Sequence, residues 1–310
     1  MKQKINLEKI IQIFVSCLIL ILLVRYINLQ ELVMSLRKAK LEYLIFILLL
    51  LPLNFFFRAV RWSLIINKDK KLLSLKILYS LTFVGSALNI VLSGGLGDVG
   101  RSYYGYKYSG LKEEMLSSSL IDKIVAVFTI FILGGLTALI CGFYHYLILS
   151  FVGVLLFGVV LFFPMLIPWD FLNRIIIFFT RRSLDADQLS KYSKISNVTL
   201  LNSILLSTVA WLLTYIQFYL ICLGFSVNVG LGHVLTFAPL ITLARMVPFT
   251  FGGLGTQEAT VVYLFNSLGI DTGVAFLISL MFTFILVVIP GLIGWFVILN
   301  INKSSRLKAA

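Results

Sequence analysis

The sequence predicts an all-α polytopic membrane protein made of two related halves, and three observations support this fold class. Of its 310 residues, 60% are hydrophobic and 13% are charged, and the mean hydropathy is +1.02. Several apolar runs approach or reach the ~20 residues with which a helix crosses a bilayer. One glycine-rich tetrapeptide also occurs twice, in similar surroundings. A soluble domain could not bury this much apolar surface, so the fold must form in lipid.

Six apolar runs account for the predicted full crossings. The first is preceded by lysines and followed directly by Arg25 without a small-residue cleavage site, so we interpret it as a retained anchor helix rather than a signal peptide. The cysteines Cys17, Cys141 and Cys222 fall within or beside apolar runs, which favours core positions over disulfides or a metal site. The six runs are residues 10–24, 41–57, 120–141, 146–169, 200–223 and 274–299.

Two further apolar stretches, residues 72–100 and 233–268, are interrupted by glycines, and each either crosses once or enters and returns. The positive-inside rule separates these alternatives. If both return and the N-terminus is cytoplasmic, 21 of the 26 Lys and Arg residues lie on the cytoplasmic side, whereas a single crossing of the first stretch moves residues 101–112 outside. The sequence therefore predicts two re-entrant helical hairpins, with both termini cytoplasmic. The basic regions are residues 2–9, 58–76, 101–123, 174–194 and 303–308.

The same tetrapeptide, Gly-Gly-Leu-Gly, occupies residues 94–97 and 252–255, an offset of 158 residues. The same offset aligns the span at residues 41–57 with residues 199–215. The single transmembrane domain, residues 1–310, thus divides into repeats at 8–143 and 144–300, and three crossings per repeat would invert the second copy. Close helix packing is the alternative use of such glycines. The predicted hairpin tips contain Gly94, Gly95, Gly97, Gly252, Gly253 and Gly255.

Ionisable residues beside these glycine motifs are candidate substrate-binding groups. Asp98 and Arg101 follow the first motif, Arg245 precedes the second, and Glu258 follows it. Placing such a residue at the centre of a membrane helix costs on the order of 2.5 to 3.5 kcal/mol on insertion scales, so its presence points to function. We expect them to contact an anionic headgroup or to gate its passage. Internal ion pairs that only stabilise the fold are the alternative.

Arg58 and Arg61 lie three residues apart beside Trp62, a spacing that places both guanidinium groups on one helical face where they could clamp a phosphate. The alternative is an ordinary cytoplasmic end of a span, with the tryptophan at the membrane interface. Residues 174–194 mix basic and aromatic side chains and form either an amphipathic surface segment or a solvated loop.

The motifs of catalysis are missing from the sequence. His145 and His233 lack partners at metal-ligand or acid–base spacing, and we find no nucleotide-binding loop or nucleophile elbow. We therefore expect no enzymatic activity, no metal and no bound cofactor. The basic surplus is read as facing anionic lipid headgroups, and we expect no nucleic-acid partner.

Three motifs in order resemble the lysylphosphatidylglycerol synthase transmembrane, or flippase-like, family: FRAVRW at residues 57–62, SGGLGDVGR at 93–101 and PFTFGGLGTQE at 248–258. Ser93 stands where the resemblance leads us to expect proline. The resemblance covers nearly the whole chain and implies movement of a lipid or lipid-linked headgroup between leaflets. The aminoacyl-transferring domain of the two-part synthases would follow the last span, so we expect a stand-alone member without synthase activity.

The resulting expectation is a flippase-like transporter of an anionic or aminoacylated phospholipid, or of a polyprenyl-linked lipid, in a bacterial or archaeal cell membrane. Membrane lipids are the expected partners, together with a possible second copy of the chain or a partner synthase. The alternative function is a non-transporting component that anchors or regulates a lipid- or polysaccharide-modifying enzyme. An intramembrane enzyme is disfavoured because paired acid–base residues are missing.

Overall fold

A computed structural model describes residues 7–25, 37, 39–67, 72–162, 195–247 and 250–307. Within these ranges every regular element is helical, which confirms the all-α polytopic prediction. The physical reason is that a helix satisfies its backbone hydrogen bonds within one segment, as the interior of a bilayer requires. The segment at residues 174–194 lies outside the described residues.

In the first half of the chain, the described residues form five helices and one short glycine turn. They are α1 (Leu7–Arg25), α2 (Leu41–Ile66), α3 (Leu75–Val91), a 3-10 turn (Ser93–Gly95), α4 (Gly97–Ser109) and α5 (Lys112–Ile140).

The second half follows a similar order. It has a 3-10 turn (Tyr144–Tyr146), α6 (Leu147–Phe162), α7 (Asn197–Gly224), α8 (Leu231–Met246), a second glycine turn (Phe251–Gly253), α9 (Thr256–Asn266), α10 (Thr272–Thr283), a π-helical segment (Phe284–Val288) and α11 (Ile289–Leu307).

Five helices in the described part of the chain are long and apolar enough to cross a membrane, and they coincide with five of the six predicted crossings. The remaining prediction, at residues 10–24, falls in α1, whose apolar part Phe14–Leu23 is shorter. Both glycine-broken stretches fold as helix, turn and helix. Whether they return to the side they entered from stays a prediction. The five helices are Leu41–Ile66, Lys112–Ile140, Tyr144–Phe162, Asn197–Gly224 and Thr272–Asn302.

Two predicted boundaries need correction. The sequence placed residues 58–76 in a basic loop, but α2 continues to Ile66. It also began the third span at residue 120, whereas α5 begins at Lys112. Each extension contains a polar group bonded to another helix, Arg61 of α2 to Asp122 and Ser118 of α5 to Trp62, so the helix continues past the point where the apolar run ends.

The chain packs as two compact units. The helices α2, α3, α7 and α11 each contribute several residues to both, and α4 contributes Gly97 to the first and its other residues to the second. The first unit consists of Met1–Leu53, Phe83–Gly97 and Leu213–Phe296. Within it, Phe218 of α7 meets Phe282 of α10 edge to face at 5.0 Å. Two glycines, Gly291 and Gly294, let α11 approach α3 closely, since an added Cβ would collide with Ile90 and with the Phe83 carbonyl.

The second unit consists of Asn54–Thr82, Asp98–Leu212 and Val297–Ala310. Ile65, Ile121, Val125 and Leu200 form a buried apolar core in its described part. In the same unit α5 packs along α6, where the rings of Phe131 and Phe157 stack at 5.6 Å.

Candidate functional site

Arg61 is held by a buried carboxylate. Its Nε donates to Asp122 Oδ1 at 2.6 Å and its Nη2 donates to Oδ2 at 3.0 Å, so the guanidinium binds the carboxylate in a bidentate manner. Its Nη1 donates to Ser207 Oγ at 2.9 Å. Two-pronged, charge-assisted bonds of this kind fix geometry more firmly than single bonds do. Helix α2 is thereby tied to α5 and α7 by polar contacts inside the unit.

Arg101 shares the same carboxylate and lies fully buried. Its Nη2 donates to Asp122 Oδ2 at 2.5 Å, and its guanidinium carbon lies 3.9 Å from the centre of the Trp62 ring. Trp62 is itself fixed, because its Nε1 donates to Ser118 Oγ at 3.1 Å. The Nε of Arg101 is buried without a hydrogen-bond partner. One donor of this side chain is therefore left over after its protein contacts are made.

Asp98 joins two further cations nearer the protein surface. Its Oδ1 accepts from Arg58 Nη2 at 3.1 Å and its Oδ2 accepts from Lys123 Nζ at 3.0 Å. Burial alone would raise the pKa of this carboxyl, but Lys123, Arg58 and Arg101 outweigh burial and hold the pKa below its ordinary value. Asp98 is therefore ionised throughout the neutral range.

These contacts form one charge cluster within the second unit. It contains all four ion pairs found between described residues. Four cations face two carboxylates, so the cluster carries two positive charges in excess. The charge cluster consists of Arg58, Arg61, Asp98, Arg101, Asp122 and Lys123.

The two glycine turns lie against each other within the first unit. Gly94 has φ 72° and ψ 12°, and Gly252 has φ 61° and ψ 15°, so both turns use the left-handed conformation that glycine adopts most readily. The Gly252 backbone also packs against α3, because an added Cβ would lie 3.0 Å from the carbonyl oxygen of Ile90. On its other side the turn meets Arg245, whose carbonyl oxygen would lie 2.6 Å from a Cβ added at Gly253.

Glu258 is buried in the first turn of α9 and bonds to neutral groups. Its Oε2 accepts from the backbone N–H of Gly255 at 2.6 Å, which ties the helix start to the glycine turn. Its Oε1 accepts from Thr283 Oγ1 at 3.1 Å, directly before the π-helical segment. No cation of the described residues forms an ion pair with it. Its contacts are therefore those of a helix cap.

A model of the family described as "Lysylphosphatidylglycerol synthase TM region" matches residues 9–294. The chain belongs to this family. The match spans both glycine turns and the whole charge cluster, and the family is the non-catalytic membrane part of these synthases. Together with the five long apolar helices, membership makes the chain an integral membrane protein. Neither the comparison with curated proteins nor that with solved structures found a match.

In this member of the family, the sequence-predicted site residues separate into two groups. Arg58, Arg61, Asp98 and Arg101 come together in the charge cluster. Arg245 and Glu258 lie beside the second glycine turn in the first unit. The predicted role of all six in binding a headgroup stays a prediction.

Sequence reasoning missed the central part that Asp122 plays in this lysylphosphatidylglycerol synthase TM protein. The signal was present, since a carboxylate ten residues inside a long apolar helix demands a partner. Whether Trp62 lies at the depth of the membrane interface stays a prediction, but its side chain is completely buried against Arg101. Its indole N–H finds Ser118 instead of interfacial water.

Proposed function

We propose that this protein moves an anionic or aminoacylated phospholipid, or a polyprenyl-linked lipid, between the leaflets of its membrane. The observation that carries the proposal is the contact between the two glycine turns, Ser93–Gly95 and Phe251–Gly253. Each turn follows a shorter apolar helix, Leu75–Val91 or Leu231–Met246, and the two turns meet within one unit.

Interrupted helices in a membrane point to a pathway for polar matter. Backbone that leaves the helical conformation at membrane depth is tolerated only where it is buried in protein or lines a water-filled cavity. In transporters built from inverted repeats, discontinuous helices of the two halves meet near the midplane and bind the substrate there. The similar order of elements in the two halves of this chain supports such a repeat. Inverted orientation and re-entrant hairpins are parts of this proposal.

The charged residues supply contacts for the headgroup. A cation inside a membrane protein attracts phosphate, and a nearby carboxylate offsets it when the substrate has left. We propose this role for the charge cluster, with Arg245 and Glu258 acting beside the second turn. Family membership supports a lipid as the substrate, because the matched region is the membrane part of proteins named for a lipid product.

The test is leaflet exchange in proteoliposomes that contain the purified protein, with fluorescent phosphatidylglycerol, its lysyl ester and a polyprenyl-phosphate-linked sugar as probes. We expect one class to exchange faster than in protein-free vesicles. Arg101→Gln and Arg245→Gln should each abolish the acceleration. Lys107→Gln is the matched control, since this lysine is exposed and donates to Asn302 outside the charge cluster.

Thermal unfolding in detergent must show that each variant is folded, because Arg101 is buried. Normal exchange by both arginine variants would remove these residues from the mechanism. No exchange of any probe by folded wild-type protein, with and without an ion gradient, would contradict transport. That result would favour the non-transporting role in anchoring or regulating a lipid- or polysaccharide-modifying enzyme, and copurification of a stable partner would then test it.

A further inference from the structure

The charge cluster contains more cations than carboxylates. Asp98 bridges Arg58 and Lys123, and each of these three side chains is at least three-quarters buried. Asp122 bridges Arg61 and Arg101 in the same way, deeper in the unit. Among the described residues, each group of three carries one more positive charge than negative, so the cluster carries an excess of two. Charge held away from water without a partner is strongly destabilising, and an anion with two negative charges would neutralise the whole cluster.

The cluster also has donors that no protein group uses. Arg58 donates through Nη2 alone, and Lys123 makes a single hydrogen bond with one of its three N–H groups. These two are the most exposed cations of the cluster, with side-chain exposures of 24% and 16%, against 5% for Arg61 and 1% for Arg101. The buried Nε of Arg101 is a third unused donor. Free donors on partly exposed cations suit an arriving ligand with several acceptor oxygens.

The donor types suit a phosphate group. A planar guanidinium presents its N–H groups in a fork that matches two phosphate oxygens, and an ammonium group adds a compact point charge. Arg58 is oriented by the ring of Phe55, whose centre lies 4.9 Å from its guanidinium carbon. The remaining nitrogens of Arg58 and the ammonium of Lys123 can therefore face one anion while both keep Asp98 as a shared partner.

We infer that Arg58 and Lys123, backed by the rest of the charge cluster, bind a phosphate group that carries two negative charges. This inference rests on the proposed function and names its substrate class. The transported lipid is a phosphomonoester, or a pyrophosphate-linked lipid whose two adjacent phosphates carry one negative charge each. A phosphodiester headgroup supplies one negative charge and leaves the cluster with an excess. A lysyl ester adds positive charges of its own, which the cluster repels.

Binding to the purified protein in nanodiscs of phosphatidylcholine tests this selectivity without requiring transport. The probes are a polyprenyl phosphate, phosphatidic acid, phosphatidylglycerol and its lysyl ester, with inorganic phosphate as a soluble competitor. We expect both phosphomonoester lipids to bind at least about tenfold more tightly than the phosphodiester, and the lysyl ester to bind most weakly. Equal affinity for monoester and diester lipids would overturn the inference. Inorganic phosphate that binds as tightly as the lipid monoesters would overturn its assignment to a lipid.

Substitutions and a change of pH test whether the preference for monoester lipids comes from the charge cluster. Arg58→Gln and Lys123→Gln should each reduce the preference for monoester lipids several-fold, while Lys107→Gln, which removes an exposed charge outside the cluster, should keep it. Lowering the pH to about 5 converts a phosphomonoester, whose second pKa is about 6, to a single negative charge, and the preference should shrink. Asp98 stays ionised there because the pKa of its carboxyl lies below the ordinary value. A preference that survives acid, or that Lys107→Gln reduces equally, would contradict the site.

The binding and exchange experiments fail separately. Selective binding of monoester lipids without any leaflet exchange would keep this site and remove the proposed transport. Exchange of phosphatidylglycerol without any preference for monoesters would keep the transport and remove this substrate class.

Discussion

The central guanidinium carbon of Arg101 lies 3.9 Å from the centre of the Trp62 ring, and both side chains are essentially inaccessible to solvent. A cation is attracted to the face of an aromatic ring, and the attraction grows when water is excluded. Arg101 is thus stabilised on one side by a ring and on the other by the Asp122 carboxylate. This pair explains how a charged residue stays buried.

Replacing Trp62 with leucine should destabilise the protein by about 3 kcal/mol or more. The change removes the ring under Arg101 and the hydrogen bond to Ser118, and it leaves a cavity in a completely buried place. Thermal unfolding in detergent measures the effect. Trp295→Leu is the control, because Trp295 is 40% exposed and should change stability by less than about 1 kcal/mol. Equal shifts in the melting temperature for the two variants would contradict the assigned role.

Asp122→Asn should be among the most damaging substitutions in the chain. It leaves Arg61 and Arg101 buried without a counter-charge, which costs about 3 to 5 kcal/mol. The yield and melting temperature of purified protein should both fall. Asp271→Asn is the matched control, since Asp271 is an exposed N-cap that accepts from the N–H groups of Gly273 and Val274, and asparagine caps equally well. Adding Arg101→Gln to Asp122→Asn should recover part of the lost stability, and a purely additive double variant would argue against the pairing.

Gly252→Ala should lower stability by more than the backbone conformation alone predicts. A left-handed φ costs an alanine about 1 to 2 kcal/mol, and here the new methyl group would also press on the Ile90 carbonyl at 3.0 Å. Gly142 isolates the first contribution, because its φ is 78° and an added Cβ meets nothing within 4 Å. Comparing the melting temperatures of Gly252→Ala and Gly142→Ala measures the second. A smaller loss for Gly252→Ala would show that the turn and α3 do not pack as described.

Two substitutions at Glu258 should separate charge from hydrogen bonding. Glu258→Gln keeps an oxygen that can accept from the Gly255 N–H, so we expect a melting temperature close to that of the wild type. Glu258→Ala removes the acceptor and should cost about 0.5 to 2 kcal/mol, as the loss of a helix cap does. A large loss with glutamine would indicate that the charge itself matters, through a cation that the cap geometry does not require.

The sequence was sufficient for the fold class and for the glycine turns. Long apolar runs specify helices in lipid because no other element satisfies their backbone there, and residues 72–100 and 233–268 were each expected to break where Gly94 and Gly252 now adopt left-handed conformations. Their mutual contact was expected only as part of the repeat hypothesis. The positions of glycines indicate where a helix can end. Contact between two such breaks that lie far apart in the sequence depends on tertiary packing, which no local pattern encodes.

The site was only partly predictable. Arg58, Arg61, Asp98 and Arg101 could be selected because charge in apolar surroundings is costly. Their pairing could not, because the ion pair of Arg101 is with Asp122 of α5, which no local pattern indicates. The end of α2 was placed too early and the start of α5 too late for the same reason. Hydropathy treats each charged residue as exposed, and it cannot register that a partner on another helix makes burial acceptable.

The π-helical segment Phe284–Val288 sets the direction in which the side chains of the following helix point. Each residue of an α-helix advances the side-chain direction by about 100°, so the extra residue that a π turn accommodates resets which face of α11 points toward α3. The narrow face with Gly291 and Gly294 is presented to Ile90 and Phe83 only in this setting. Removing one residue from the segment would leave the composition, length and hydropathy of the last span almost unchanged. It would, however, rotate the two glycines away from α3. The rotation of this helix about its own axis, which hydropathy does not measure, is therefore a property on which selection can act.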